Sequence, residues 1–253
     1  MEKSYHLDIH KKQLHGAKIA LLPGDPFRVN KIAEVIDKDF QELAFHREYK
    51  SALTTLDGIP ILVVSTGIGG PSTAIAVEEL ACLGVESFIR LGTSGSIQPF
   101  VKIGDMVITN GAVRLEGTSS HYAPIEYPAV ADFQIVKALV NSAEKNQFPY
   151  HIGISAASDT FYPGQERYNT FSQYVIKKFQ GSMEEWKKLR VLNFEMESAS
   201  LLTICSVFGL KAGAVCGIIA QRTEEEQVNT DIIPTVEKNL GKIVKEAVRE
   251  LNS

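Results

Sequence analysis

Pro23-Gly24-Asp25-Pro26-Phe27-Arg28 gathers a glycine, a helix-capping carboxylate, a proline suited to a first helical position and an arginine within six residues. Asp25 can cap a helix that Pro26 opens, and N–H groups beside a glycine at such a start form an anion site. Gly-Asp-Pro before a helix is also a common plain turn, and Arg28 tips the reading towards binding. Thr66-Gly67-Ile68-Gly69-Gly70-Pro71-Ser72 is a second glycine-rich turn between a strand and a helix. It is neither a dinucleotide fingerprint nor a P-loop, since the expected acidic residue and the Gly-Lys-Ser/Thr ending are missing. In Arg90-Leu91-Gly92-Thr93-Ser94-Gly95 an arginine interrupts an apolar strand before what reads as a third turn. A buried guanidinium requires an anion or several acceptors. An internal salt bridge would meet that need, but the adjoining Gly/Thr/Ser residues favour a bound phosphate or sugar.

Two later segments offer groups for an uncharged partner. Gln165 carries a donor and an acceptor, Arg167 can donate to a carbonyl oxygen and stabilise negative charge, and Phe161 offers an aromatic face. Taken alone, a Gln-x-Arg pair on a polar loop reads as surface. Glu195, Met196 and Glu197 open an apolar helix through Leu201, Leu202 and Ile204, where acidic residues commonly serve only the helix dipole.

These residues need a frame, and the chain supplies an alternating one. Apolar runs at 18–23, 59–66, 87–92, 105–113, 151–158 and 212–220 read as strands, and helical stretches between them indicate an α/β fold. Residues 71–84 begin with Pro71 and end with Gly84, the start and stop of a helix. Val236, Leu240, Ile243, Val244, Ala247 and Leu251 recur at helical spacing and form one packing face. Binding sites in open α/β sheets lie beyond the carboxyl ends of strands, where the three glycine segments fall. Residues 164–190 and 224–234 read as irregular insertions and candidate lids.

The 253 residues suit one domain, so 1–253 is taken as a single unit. No apolar run spans a bilayer and the start has no signal-peptide pattern, so a soluble, cytoplasmic protein is expected. A net charge of −4 without a basic tract argues against nucleic acid and membrane partners. Cys82, Cys205 and Cys216 form no CxxC pair and are expected as reduced core thiols, with neither disulfide nor zinc.

The segments PGDPFR, TGIGGPSTAIAVEEL and RLGTSGSI together resemble the signatures of the nucleoside phosphorylase family, nearly end to end. The resemblance implies a single-domain, three-layer α/β fold with a central mixed, partly barrel-like sheet flanked by helices. It also implies reversible phosphorolysis of a nucleoside, with phosphate as co-substrate and no required cofactor. Residues 158–167 resemble the pyrimidine-cleaving branch, which narrows the implied reaction to uridine, with some deoxyuridine or thymidine, giving uracil and ribose 1-phosphate in pyrimidine salvage. The implied phosphate site is Gly24, Arg28, Arg47, Arg90 and Thr93, and the implied ribose site is His6, Thr93, Met196 and Glu197. Phe161, Gln165, Arg167 and Arg222 would hold the base, with Arg90, Gln165, Arg167 and Glu197 as the catalytic set. Arg47 and His6 would come from a neighbouring subunit of a hexamer built as a trimer of dimers. Glu48, Ile68 and Ser72 match positions of a structural potassium ion, and oxygen donors suit such a hard cation. One departure is Ala220-Gln221 where Val-Asn is commoner, which bears on ribose against deoxyribose. The rivals are a purine phosphorylase, a phosphate-independent nucleosidase and a non-catalytic nucleoside-binding protein. The purine enzymes typically place an aspartate near the last strand, where this chain reads Ile219-Ala220-Gln221-Arg222.

Overall fold

The computed structural model describes residues 1–223 and 225–252. In chain order its strands are β1 (Ile19–Pro23), β2 (Gln41–His46), β3 (Tyr49–Leu56), β4 (Ile59–Val64), β5 (Ser87–Ser96) and β6 (Met106–Leu115). They continue with β7 (Ala129–Val130), β8 (Tyr150–Ser158), β9 (Asn193–Glu195), β10 (Lys211–Arg222) and β11 (Glu226–Val228). The α-helices are α1 (Phe27–Ile36), α2 (Gly70–Leu83), α3 (Phe133–Lys145), α4 (Ser182–Lys188), α5 (Ser198–Val207) and α6 (Ile233–Leu251).

All strands join one mixed sheet. β5, β9, β8, β6 and β10 close on themselves as a five-stranded barrel, because β10 pairs with β5 as well as with β6. From β5 the sheet extends through β1 and β4, both parallel, to the antiparallel β3 and β2. Successive residues of a strand face opposite ways, and β1 serves two cores for that reason. Ala20 and Leu22 enter the core with α2 and α5, while Ile19 and Leu21 enter the core with α1, α3 and α6. A sheet apolar on both faces must be covered twice, which gives the three expected layers. Among the described residues no helix is long and apolar enough to cross a membrane.

Several sequence expectations are revised. Gly92-Thr93-Ser94-Gly95 is not a turn but the continuation of β5, held by β10 at Gly92 and Thr93 and by β9 at Gly95. The glycine at 92 answers crowding instead: a Cβ there would lie 2.7 Å from Cys216 Sγ and 2.9 Å from Arg90 Nη2. Cys82 is exposed, unlike the buried Cys205 and Cys216, because α2 turns it away from the core. Arg47 lies in the two-residue turn between β2 and β3. Residues 225–232 are not one irregular loop, since β11 pairs back on β10 before α6 begins; Glu224 of the expected lid lies outside the described residues. Within 164–190 the chain forms short 3-10 turns and α4.

Candidate active site

The carboxyl ends of β1, β4 and β5, the β9–α5 junction and the end of β10 surround a cavity of about 730 Å³. Gly24, Arg28, Glu48, Ile68, Arg90, Thr93, Phe161, Gln165, Arg167, Met196 and Glu197 all line it, as do Ser94, Ile219, Ala220, Glu226 and Val228. His6, Arg47, Ser72 and Arg222 do not.

Arg90 rises from β5 into a fully buried cluster. Its Nε donates to Glu195 Oε2 at 3.0 Å, and its Nη2 pairs closely with Glu197 Oε2. Burial alone would lower the arginine's pKa, but the two carboxylates outweigh it and hold the pKa above its usual value. The internal salt bridges thus engage Nε and Nη2 of Arg90 within the chain, and the residue also lines the cavity. Burial likewise raises the Glu197 carboxyl, against the pull of Arg90. Glu197 Oε1 accepts the Gly69 N–H at 2.6 Å, tying the second glycine turn to this cluster. Glu195, given no role from sequence, also accepts the N–H groups of Glu197 (2.9 Å) and Ser198 (2.9 and 3.1 Å). It thus caps α5 and orients Arg90 together, and the signal available was its place just before an apolar helix.

At a second wall, Arg167 stacks over Phe161 with its guanidinium carbon 3.8 Å from the ring centroid. Its Nη1 donates to Phe161 O at 2.6 Å and to Gln165 Oε1 at 2.7 Å. The amide oxygen of Gln165 is thereby committed, which turns its NH₂ donor elsewhere. Glu226 on β11 takes the other edge of Arg167, Oε2 from Nε at 3.1 Å and Oε1 from Nη2 at 2.6 Å. The hydrogen bond from Arg167 holds the Glu226 carboxyl below its ordinary pKa. Arg222 stands behind this wall, donating from Nη2 to Gln165 O at 2.8 Å. Burial first, and then the Arg167 charge, push its pKa down to about 10. Arg222 therefore supports the 165–167 loop and does not line the cavity.

Arg28, from the first turn of α1, donates from Nε to Glu237 Oε1 at 2.8 Å and from Nη2 to Thr93 Oγ1 at 3.3 Å. Glu237 on α6 is shared with Lys31, 2.8 Å away. Asp25 Oδ1 accepts the Phe27 N–H at 2.8 Å, so a carboxylate already occupies the start of this helix. Gly24 lies against the second glycine turn: Gly67 N donates to Gly24 O at 2.9 Å, and a Cβ on Gly24 would sit 3.2 Å from Gly67 O.

Of the remaining expected residues, Glu48 and Ile68 line the cavity while His6, Arg47 and Ser72 lie outside it. His6 Nδ1 meets Glu79 Oε1 at 2.7 Å beside a separate cleft, and His46 Nδ1 meets the His6 carbonyl oxygen at 2.8 Å. Arg47 is exposed and adopts φ 56°, a conformation that costs a non-glycine residue about 1 kcal/mol or more. Ser72 Oγ donates to the carbonyl oxygens of Ile68 and Gly69, each at 3.3 Å. Glu48 crowds the same spot, since a Cβ on Gly67 would lie 2.8 Å from Glu48 Cγ and 3.4 Å from Ser72 Oγ. A carboxylate, a carbonyl and a hydroxyl so grouped are the donor types a hard monovalent cation takes.

The model of the phosphorylase superfamily matches residues 18–249. The chain is 54% identical over 253 residues to the uridine phosphorylase of Klebsiella aerogenes, covering 99% of this chain and 100% of that one. It is 53% identical, with the same coverage, to the uridine phosphorylase of Escherichia coli strain K12. It is 38% identical over 249 residues to the guanosine phosphorylase of Halorubrum lacusprofundi, covering 98% of this chain and 96% of that one.

Proposed function

The chain belongs to the phosphorylase superfamily, and on that premise we infer that it catalyses the reversible phosphorolysis of uridine to uracil and ribose 1-phosphate. The observation that carries this reading is one cavity holding both Phe161, Gln165 and Arg167 and Gly24, Arg28 and Thr93, with Met196 and Glu197. Full-length likeness to uridine phosphorylases supports the choice of base.

In the proposed reaction the ribose lies against Met196, and its hydroxyls donate to Glu197, whose two oxygens accept side by side. Gln165 offers its NH₂ to a carbonyl oxygen of uracil, and Phe161 packs against the ring. The bond from the ribose anomeric carbon to the base nitrogen lengthens first and leaves its electron pair on uracil, where Arg167 meets the growing negative charge. Positive charge on the sugar is met by hydrogen phosphate held near Gly24, Arg28 and Thr93; a phosphate oxygen then bonds to the anomeric carbon, and the uracil anion takes up a proton in place of the one the phosphate gives up. Alignment of three parts in one cavity, with charges already in place, supplies the rate.

Three finer points belong to the same reading. His6 and Arg47 act in a neighbouring subunit's site, within a hexamer arranged as a trimer of dimers; their placement away from this chain's own cavity supports that. The Glu48, Ile68 and Ser72 oxygens take a structural potassium ion. The pathway served is pyrimidine salvage.

A purine reading is favoured by one observation, the guanosine phosphorylase relative, although Ile219-Ala220-Gln221-Arg222 offers no aspartate to a purine. The protein is to be incubated with uridine, deoxyuridine, thymidine, inosine, guanosine and adenosine, with and without phosphate, and assayed for sugar 1-phosphate. Phosphate-dependent cleavage of uridine is expected. Cleavage of purine nucleosides alone, or of uridine equally well without phosphate, would overturn the reading.

A further inference from the structure

We infer that Glu226 is a positioning residue for this reaction: its carboxylate fixes Arg167, and through it Gln165, so that seating of the β10–β11 hairpin prepares the base site. The inference rests on the proposed role of Arg167 and Gln165 at the base.

An arginine on a flexible stem reads a base only if its plane is held. Every nitrogen of the Arg167 guanidinium is engaged. One edge, Nε and Nη2, lies on Glu226 at 3.1 and 2.6 Å, and Nη1 is divided between Phe161 O and Gln165 Oε1. The two-oxygen edge of a carboxylate matches the two-nitrogen edge of a guanidinium, fixing its rotation as well as its place. Rotation of Arg167 would release Gln165 Oε1 and, with it, the direction of the amide.

The hairpin makes this hold conditional. β11 is an exposed strand of three residues, too short to be firmly seated by backbone pairing alone. Glu226 faces Arg222 across the hairpin, and both side chains grip the 165–167 loop, Glu226 at Arg167 and Arg222 at the Gln165 carbonyl oxygen. Glu226 Oε1 is 3.6 Å from Arg222 Nε as well, so one carboxylate links both arginines. When the hairpin lifts, Arg167 loses its fixed edge. When it seats, the base-reading pair is set before substrate arrives.

The test measures the Michaelis constants for nucleoside and phosphate separately in wild type, Glu226→Ala, Glu226→Asp, Arg167→Ala and the Glu226→Ala/Arg167→Ala double variant. The nucleoside is whichever one wild type cleaves best, so the wild-type panel judges the choice of base and the variants judge the positioning role. Glu226→Ala is expected to raise KM for the nucleoside about tenfold while KM for phosphate stays within twofold, a split that general loosening would not give. Glu226→Asp should recover part of the loss. The double variant should fall no further than Arg167→Ala, because Glu226 acts through that arginine. Hydrogen exchange across residues 220–228 should also quicken at least tenfold in Glu226→Ala. An unchanged KM for the nucleoside, an equal rise for both substrates, additive losses in the double variant or unaltered exchange would each overturn the inference.

Discussion

Asn193 is the residue on which the barrel's interior wiring is best tested. Its Oδ1 accepts from Ser155 Oγ at 2.8 Å, Ser155 Oγ lies 2.7 Å from Thr109 Oγ1, and Asn193 Nδ2 donates to Ser94 Oγ at 2.9 Å. Thr109, Ser155, Asn193 and Ser94 stand on β6, β8, β9 and β5, so the chain of hydrogen bonds joins four barrel strands and ends on a hydroxyl that lines the cavity. Leucine at 193 keeps much of the volume and removes both bonds. Two lost hydrogen bonds cost about 1 kcal/mol each, while Ser155 retains Thr109 and Ser94 borders the cavity. The total is about 2 kcal/mol, and greater apolar contact from leucine recovers less than that. At about 2–4 °C per kcal/mol for a chain of this size, the midpoint of thermal unfolding should drop by about 4–8 °C. Differential scanning calorimetry at one scan rate and protein concentration reads it, with Thr109→Val as a companion that breaks one bond and loses about half as much. A shift of Asn193→Leu below about 2 °C, or a larger one for Thr109→Val, would refute the reasoning.

Other outcomes rest on the same geometry. Glu197→Gln should lower kcat/KM for uridine by about 100-fold, since the charge facing the sugar is worth about 3 kcal/mol in the transition state. Burial raises the Glu197 pKa, so wild-type activity should fall as the pH drops towards a midpoint above the ordinary glutamate value of about 4.3, and the Gln variant's pH–rate profile should lose that limb. Arg47→Ala and Arg167→Ala, each much weakened but still measurable alone, should regain part of the activity when mixed under demonstrated subunit exchange, as sites shared between chains require.

Sequence patterns that act locally were readable. Pro71 and Gly84 bracketed a helix that runs Gly70–Leu83, with Gly84 at φ 106° in the left-handed cap, because starts and stops of helices are set by neighbours within one turn. The apolar runs became strands since continuous apolarity is what a sheet buried on both faces demands. β2 escaped notice because its residues are exposed or half-buried and include charged ones. Three-residue β9 is too short to leave a period, and Gly92–Gly95 is straightened by neighbours distant in sequence. The site was legible as a set of residues and much less so as a set of bonds. Arg167 meets Glu226 across 59 positions and Arg28 meets Glu237 across 209, separations that no spacing rule covers.

Those long-range carboxylates change the electrostatic argument for phosphate. The sequence reading counted arginines and inferred an anion site, yet Glu237 answers Arg28 and Lys31, Glu195 and Glu197 answer Arg90, and Glu226 answers Arg167. Counting Arg222 on Glu226 as well, five cations thus face four carboxylates, and Asp25 already caps the helix start. A phosphate bearing one to two negative charges would find dipoles at Gly24 and Thr93 and a share of Arg28, but little net positive charge from this chain. Burial of Glu197 lessens the imbalance only as far as it favours the protonated carboxyl. The exposed Arg47, at a turn outside the cavity, is one charge still available to another molecule's site. On the proposed reading, phosphate affinity is therefore tied to assembly. A site whose own arginines stood unpaired would show no such dependence.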